Sequence, residues 1–194
     1  MDTTWIIVGV VVVLALYVIY AYNRFVKYVQ RAKEAWADID VQLKRRYDLI
    51  PNLIETVKGY AAHERGVFEE VTEARAKATQ IHVDPSNITP EQLQAMAGAE
   101  TQLTQSLGKL LAVAEAYPDL KANQNFAELQ RELSDTENKI QAARRFYNSN
   151  VRELNTQLQQ FPANIIGRMF SFEEKDYFEI EENSQEREPV KVQF

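Results

Sequence analysis

The chain has 194 residues, with 22 Lys and Arg, 28 Asp and Glu, no Cys, and a net charge of −6. The lack of Cys excludes disulfides, thiolate metal sites and lipid attachment through Cys. Eight of the acids lie in residues 171–194, and no basic surface with interleaved aromatic residues stands out, so nucleic acid is not an expected partner.

The first element is an apolar segment of eighteen residues, from Trp5 to Tyr22, without charge or Pro. A helix of that length rises about 27 Å, close to the ~30 Å hydrocarbon core of a bilayer. Trp5 lies at one end, and Tyr17, Tyr20 and Tyr22 lie at the other, as aromatic rings do where a span meets lipid headgroups. We therefore predict a transmembrane helix over residues 5–22, after a short tail of residues 1–4.

A cleaved signal peptide and a buried core helix are the alternatives to this span. A signal peptide begins with basic residues and ends at small ones, whereas this chain begins Met1-Asp2 and leaves the segment through Tyr20-Ala21-Tyr22. Core helices are seldom apolar on every face over such a length. We expect an uncleaved anchor.

The flanks of the segment predict its orientation. Residues 24–46 hold seven Lys or Arg and three Asp or Glu, while residues 1–4 hold no base. Because Lys and Arg beside a first span favour retention in the cytoplasm, we expect the N-terminus outside and the rest of the chain inside.

Apolar residues then recur at seven-residue intervals from Phe25 to Ile81. This pattern predicts helices that pack along one face. The residues form two series with a spacing of seven. Arg46 is the one charged residue of the first series, which also includes Tyr60, and Glu64 is the one charged residue of the second.

Pro51 stands within this pattern and lacks the N–H of a helical donor. Two structures fit: one long helix kinked near Tyr47, or a reversal in which Asp48 caps a new helix. The pattern keeps its phase across Pro51, which favours the long helix.

Two further long helices follow. Thr89, with Gln92 three residues later, predicts a capping box, and the helix it opens ends at Pro118. A turn at Pro118 and Asp119 leads into the last long helix, whose apolar residues recur every seven positions up to Phe161 and which Pro162 closes.

Long helices joined by short turns bury their apolar stripes against one another. The expected fold is therefore all-α: an N-terminal transmembrane helix that continues into an antiparallel bundle of three to four long helices over residues 23–170. An acidic extended tail over residues 171–194 completes the chain.

Arg46 falls on a packing face, where an unpaired charge costs several kcal/mol. Its candidate partners are Glu137, Asp48 and Glu55. We expect a structural polar layer that fixes helix register, and ligand or partner binding is the alternative. The layer has these members: Arg46, Tyr47, Asp48, Glu137, Arg145, Tyr147, Asn148 and Asn155.

Apolar residues cluster again after Pro162, at Ile165, Ile166, Met169 and Phe170. They predict either a short helix packed on the bundle end or a contact for a neighbouring subunit or the membrane surface. The last residues alternate apolar and polar, with Val192 and Phe194, as in a strand that adds to a partner's sheet; a frayed terminus is the alternative.

Long stretches of the chain resemble the LemA family of bacterial membrane-anchored helical proteins. The matching stretches are residues 23–64 (NRFVKYVQ…YAAHE), residues 116–151 (AYPDLKAN…FYNSNV) and the Phe161-Pro162 pair. The resemblance implies an N-terminal span, a bundle of long helices and a place in the bacterial envelope. It also implies links to membrane remodelling, magnetosome membranes and membrane proteases, and it implies no catalytic residue. Nothing is carried over to residues from Phe172 onward.

An enzyme is not expected, because His63 and His82 fit no metal motif and the chain has no phosphate loop, no Gly-x-Ser-x-Gly and no cofactor motif. We expect a scaffold in the bacterial inner membrane that self-associates as a homo-oligomer and contacts the bilayer and other envelope proteins. The alternative is an adaptor for a membrane protease, acting through its C-terminus.

Overall fold

The structure, a computed structural model, describes residues 3–179, which form six helices and no strand. The all-α prediction is confirmed. The helices are α1 (Thr3–Lys58), α2 (Arg65–Gln80), α3 (Pro90–Glu115), α4 (Pro118–Lys121), α5 (Gln124–Gln159) and α6 (Ala163–Met169).

Helix α1 is one element of 56 residues that passes through Pro51 without a break. At ~1.5 Å per residue it is about 84 Å long. The favoured prediction of one long helix is therefore confirmed, and the reversal at Asp48 is wrong. The apolar segment and the first helix of the bundle are the same helix.

The predicted packing pattern is wrong at Tyr60 and Glu64, because α1 ends at Lys58 and α2 begins at Arg65. Gly59 disfavours a further helical turn, and the amides of Tyr60 and Ala61 both donate to the carbonyl of Val57, at 3.0 and 2.9 Å. The pattern keeps its phase across this turn because α2 buries a stripe of its own against the same core.

The long helices pack as antiparallel neighbours. Along α1 and α5, Tyr60 pairs with Asn123 at one end (2.9 Å) and the Trp36 and Tyr147 rings lie 5.4 Å apart towards the other. Helices α2 and α3 form the second pair, which Glu70 and Lys109 bridge at 2.6 Å.

The bundle narrows along α1 towards the apolar segment. Its far end is a core of four long helices, α1, α2, α3 and α5, around Val57, Val71 and Leu110. Its near end is built by α1, α5 and α6 alone, around Phe25 and Leu154. Helix α6 therefore packs on α1 where the apolar segment ends.

Most helix ends are determined by residues that lie close to them in sequence. The capping box of Thr89 and Gln92 is confirmed, with both of its hydrogen bonds present. Pro118 does not simply end α3, since it opens the single-turn helix α4. Phe161 does not belong to the buried stripe of α5: it lies beyond the helix end and is 80% exposed.

The chain turns back onto the bundle at Ser171, whose φ is 55°. Residues 172–179 are extended and lie along α5. Phe172 stacks on Phe25 with ring centroids 5.0 Å apart, and Phe178 is fully buried. The first residues of the predicted tail are thus part of the packed bundle.

Candidate functional sites of the bundle

The apolar segment of α1 is long and apolar enough to cross a membrane, and almost none of it is buried within the described chain. Trp5 is 69% exposed and Tyr20 is 60% exposed, whereas Tyr17 is partly buried. Tyr22 has its ring 4.9 Å from that of Phe170. The tyrosine-bearing end of the predicted span therefore lies against α6.

A buried polar layer crosses the bundle at Arg46, which is 2% exposed. Arg46 forms ion pairs with Glu100 on α3 and with Glu137 on α5, the latter at 2.6 Å between Nη1 and Oε2. Tyr47 donates its hydroxyl hydrogen to Glu100, and Arg46 also reaches Thr104 at 3.5 Å. Three long helices meet through these side chains.

The layer holds one positive charge and two carboxylates, and Tyr47 is neutral. Burial raises the pKa of Tyr47 to about 12, so its hydroxyl keeps the hydrogen that it donates to Glu100. Glu137 is 37% exposed, which leaves part of the second carboxylate in water. The charged side chains of the layer thus face one another across α1, α3 and α5.

Glu100 is the functional residue that sequence reasoning missed, although it is 1% exposed and central to the layer. A signal was present, because Glu100 stands seven residues after Leu93 and seven before Leu107, two members of the buried stripe of α3. An acid in an apolar register indicates a buried ion pair as clearly as Arg46 does.

Two of the three candidate partners of Arg46, Asp48 and Glu55, lie elsewhere, and so does Arg145, an expected member of the layer. Asp48 is exposed because it follows Arg46 by two residues, which places it on nearly the opposite side of α1. Glu55 is 73% exposed and pairs with Lys58. Arg145 is exposed on α5. The assignment of Asp48 and Arg145 to the layer was wrong, and so was Glu55 as a candidate partner of Arg46.

Tyr147, Asn148 and Asn155 are also separate from Arg46. They line the face of α5 that holds residues 172–179, and Tyr147 donates from its hydroxyl to the carbonyl of Asp176 at 3.2 Å. Burial raises the pKa of Tyr147 to about 12.

The two asparagines each bind both backbone polar groups of one residue. Asn155 accepts from the amide of Lys175 at 2.9 Å and donates to its carbonyl at 2.8 Å. Asn148 does the same with Phe178, at 2.8 and 3.0 Å. Seven residues of helix and three residues of extended chain both advance about 10 Å, which is why the spacing matches.

These asparagine contacts hold the backbone of the segment whatever its side chains are, and Phe178 supplies the apolar anchor. The Phe178 ring lies 5.4 Å from the Trp36 ring, and the guanidinium of Arg144 lies 5.3 Å from its centroid. The segment and the middle of the bundle form one packed unit.

The apolar cluster after Pro162 divides into two faces. Ile166 is buried against the bundle end, so its assignment as a partner contact was wrong. Ile165, Met169 and Phe170 are 57%, 60% and 44% exposed. Val192 and Phe194 lie outside the described residues.

Residues 3–179 hold no group of three or more His, Asp or Glu side chains placed to bind a metal ion. Within that range, the polar side chains described above contact one another or the backbone.

The chain is similar in sequence to a family of proteins and to several of their named members. The LemA family model matches residues 35–194. The chain is 24% identical over 174 residues to the magnetosome protein MamQ of Magnetospirillum gryphiswaldense, covering 81% of this chain and 64% of the relative. It is likewise 24% identical over 175 residues to the magnetosome protein MamQ 2 of Paramagnetospirillum magneticum, with the same coverage.

Protein LemA of Metamycoplasma hominis is 28% identical over 125 residues, which cover 64% of this chain and 53% of that protein. The chain thus spans less than two thirds of the length of each of these relatives. The family model covers most of the chain, including every helix of the bundle beyond the first part of α1. The chain therefore belongs to the LemA family.

Proposed function

We propose that this chain is a non-enzymatic, membrane-anchored scaffold of the bacterial inner membrane that self-associates and supports membrane organisation or remodelling. One observation carries the proposal: α1 runs without a break from the apolar segment to the buried polar layer at Arg46. A rigid helix shared by anchor and bundle couples the position of one to the position of the other.

The buried polar groups support a structural role. Arg46 and Glu100, the two buried charged side chains of the described chain, face each other and not a cavity. A catalytic site needs a polar group aimed at a substrate.

The charges beside the apolar segment support the orientation, with the N-terminus outside and the bundle in the cytoplasm. Lys27 and Arg31 are exposed on α1 just beyond the segment, and Arg24 lies beside them. Bases at this position favour the cytoplasmic side and interact with anionic headgroups, at about 1 kcal/mol each.

Self-association is supported by the exposure of the apolar segment. From Trp5 to Leu16 no other described helix covers the segment, so its side chains are available to a second span in the plane of the bilayer. Two of the relatives are named magnetosome proteins, which agrees with the proposed role in membrane organisation.

The test is the mass of the full chain in a mild detergent, measured by native mass spectrometry over a range of protein-to-detergent ratios. We expect dimers or larger assemblies that persist on dilution. A strict monomer at every ratio contradicts the scaffold. A matched variant with residues 5–22 replaced by a Leu-Ala repeat shows whether the span supplies the contact.

A further inference from the structure

The end of the bundle nearest the apolar segment exposes an unusual amount of apolar surface. Phe161 is 80% exposed, and Ile165, Met169 and Phe170 expose 57%, 60% and 44%. We call these four residues the α6 patch. In water such a cluster is unfavourable, and contiguous exposed apolar side chains mark a contact surface.

The sequence around the α6 patch is nearly free of charge. Between Glu153 and Glu173 the only charged residue is Arg168, in a chain of which 26% is charged. Acidic side chains, which anionic headgroups repel, are absent from this stretch of the sequence.

The fold places the α6 patch at the height where the apolar segment ends. The Phe170 ring lies 4.9 Å from the Tyr22 ring, and Gly167 packs closely on Phe25. Phe161 lines a cavity together with Tyr17 and Tyr20. The same cavity reaches Arg24 and Phe25, so Phe161 lies at the boundary where the apolar segment ends.

We propose that the α6 patch inserts into the headgroup and acyl boundary of the leaflet through which α1 leaves the membrane. Phe170 lies beside Tyr22 and Phe161 shares a cavity with Tyr17 and Tyr20, so the patch borders the span, and lipid surrounds it at that depth. Short apolar elements of this kind enter the interface by about 5–10 Å. Arg168 then lies among the headgroups, where a cation is favourable.

This contact gives the bundle a second point of attachment. The span alone leaves the chain free to rotate about its own axis, whereas an inserted α6 fixes which face of α1 and α5 faces the membrane. The inference rests on the apolar segment of α1 being a span, as in the proposed function.

The test uses single cysteines, because the chain has none of its own. Ile165→Cys in the full chain is labelled with the fluorophore NBD and reconstituted into phosphatidylcholine and phosphatidylglycerol vesicles that contain a shallow nitroxide quencher. Ser149→Cys is the matched control, an exposed site on α5. We expect blue-shifted emission at position 165 and quenching several-fold stronger than at 149; equal emission and quenching at the two sites overturns the inference.

Two further measurements separate the possible causes of failure. Val11→Cys, within the apolar segment, reports the span itself and must be quenched by a deep nitroxide; if it is not, the anchor is wrong as well. Dilution to about one chain per vesicle tests whether lipid or a second copy of the chain covers the α6 patch. Quenching at position 165 that persists on dilution supports lipid. A blue shift that is lost on dilution assigns the patch to a second copy and overturns the inference. Self-association itself is measured independently, by the native mass spectrometry of the full chain described above.

Discussion

Arg75 donates a hydrogen bond from Nε to the backbone carbonyl of Tyr47, at 2.8 Å. That carbonyl precedes Pro51 by four residues, so it has no helical donor, since proline lacks an N–H. A side chain of α2 therefore supplies what α1 lacks, and this contact helps to keep α1 continuous through Pro51.

The Arg75 contact predicts coupling between two substitutions. Arg75→Ala leaves the Tyr47 carbonyl without its donor and should lower the free energy of unfolding by about 1–2 kcal/mol. Pro51→Ala restores the helical amide and should raise stability. In the Pro51→Ala background the cost of Arg75→Ala should largely disappear.

The measurement for this cycle is denaturant unfolding of the full chain, followed by the fluorescence of buried Trp36. Lys77→Ala, which removes an exposed ion pair with Glu73, is the control and should change stability by no more than about 0.5 kcal/mol. An equal cost of Arg75→Ala in both backgrounds would show that the hydrogen bond does not compensate for Pro51.

The polar layer predicts a ranking of effects. Arg46→Met leaves the carboxylates of Glu100 and Glu137 without their shared cation and should cost about 3–5 kcal/mol. Glu137→Gln keeps an acceptor at a partly exposed site and should cost about 1 kcal/mol. Lys139→Ala, from an exposed pair with Asp135, is the control, with a change of about 0.5 kcal/mol or less.

A combined variant tests whether the layer adds net stability to the bundle. Replacing Arg46 by Met, Glu100 by Leu and Tyr47 by Phe removes the buried charges together, and such apolar replacements are often neutral or stabilising. We expect most of the stability lost in Arg46→Met to return. If Arg46→Met itself leaves the melting temperature unchanged, the layer has no structural role.

The asparagine contacts predict local release of residues 172–179. Asn148→Ala removes both hydrogen bonds to the backbone of Phe178, so the segment should separate from α5 and lose amide protection. Hydrogen exchange measured by mass spectrometry should show faster exchange at residues 173–179, with Ser149→Ala as the matched control. Unchanged protection of this peptide would mean that the packing of Phe178 alone holds the segment.

The two buried tyrosines predict a loss of stability at alkaline pH. Burial raises the pKa of Tyr47 and of Tyr147 to about 12, above the unfolded value of about 10. Their contribution is therefore complete below pH ~10 and is lost as the pH rises towards about 12.

Melting temperatures measured between pH ~9 and ~11 check this expectation. The wild-type chain should lose stability across the interval, and the variant with Tyr47→Phe and Tyr147→Phe should start lower and lose less. An equally steep decline in both proteins would assign the alkaline transition to other groups.

Much of the fold was predictable because its signals are local. The apolar period, the capping box at Thr89 and the stripe of α5 depend on neighbours in sequence, and the structure contains the corresponding elements. The turn at Gly59 was missed because a seven-residue repeat reports which face is buried and carries no information on where the chain reverses.

The site was less predictable because it depends on contacts between distant segments. Arg46 and Glu100 lie on different helices, so the sequence pattern around either residue does not identify the other as its partner. The segment that ends at Phe178 is acidic and resembles a solvated tail in composition; only its pairing with Asn148 and Asn155 shows that it is packed.

The central claim is that the membrane anchor and the bundle share one rigid helix, and a single distance tests it most directly. Leu16 and Val41 are each 60% exposed on α1, on nearly the same face. Spin labels at Leu16→Cys and Val41→Cys, in the full chain in lipid nanodiscs, should give one narrow distance near 38 Å by pulsed electron paramagnetic resonance, since 25 residues of helix rise that far. A broad distribution centred at a clearly shorter distance would show a hinge between anchor and bundle and would contradict the account.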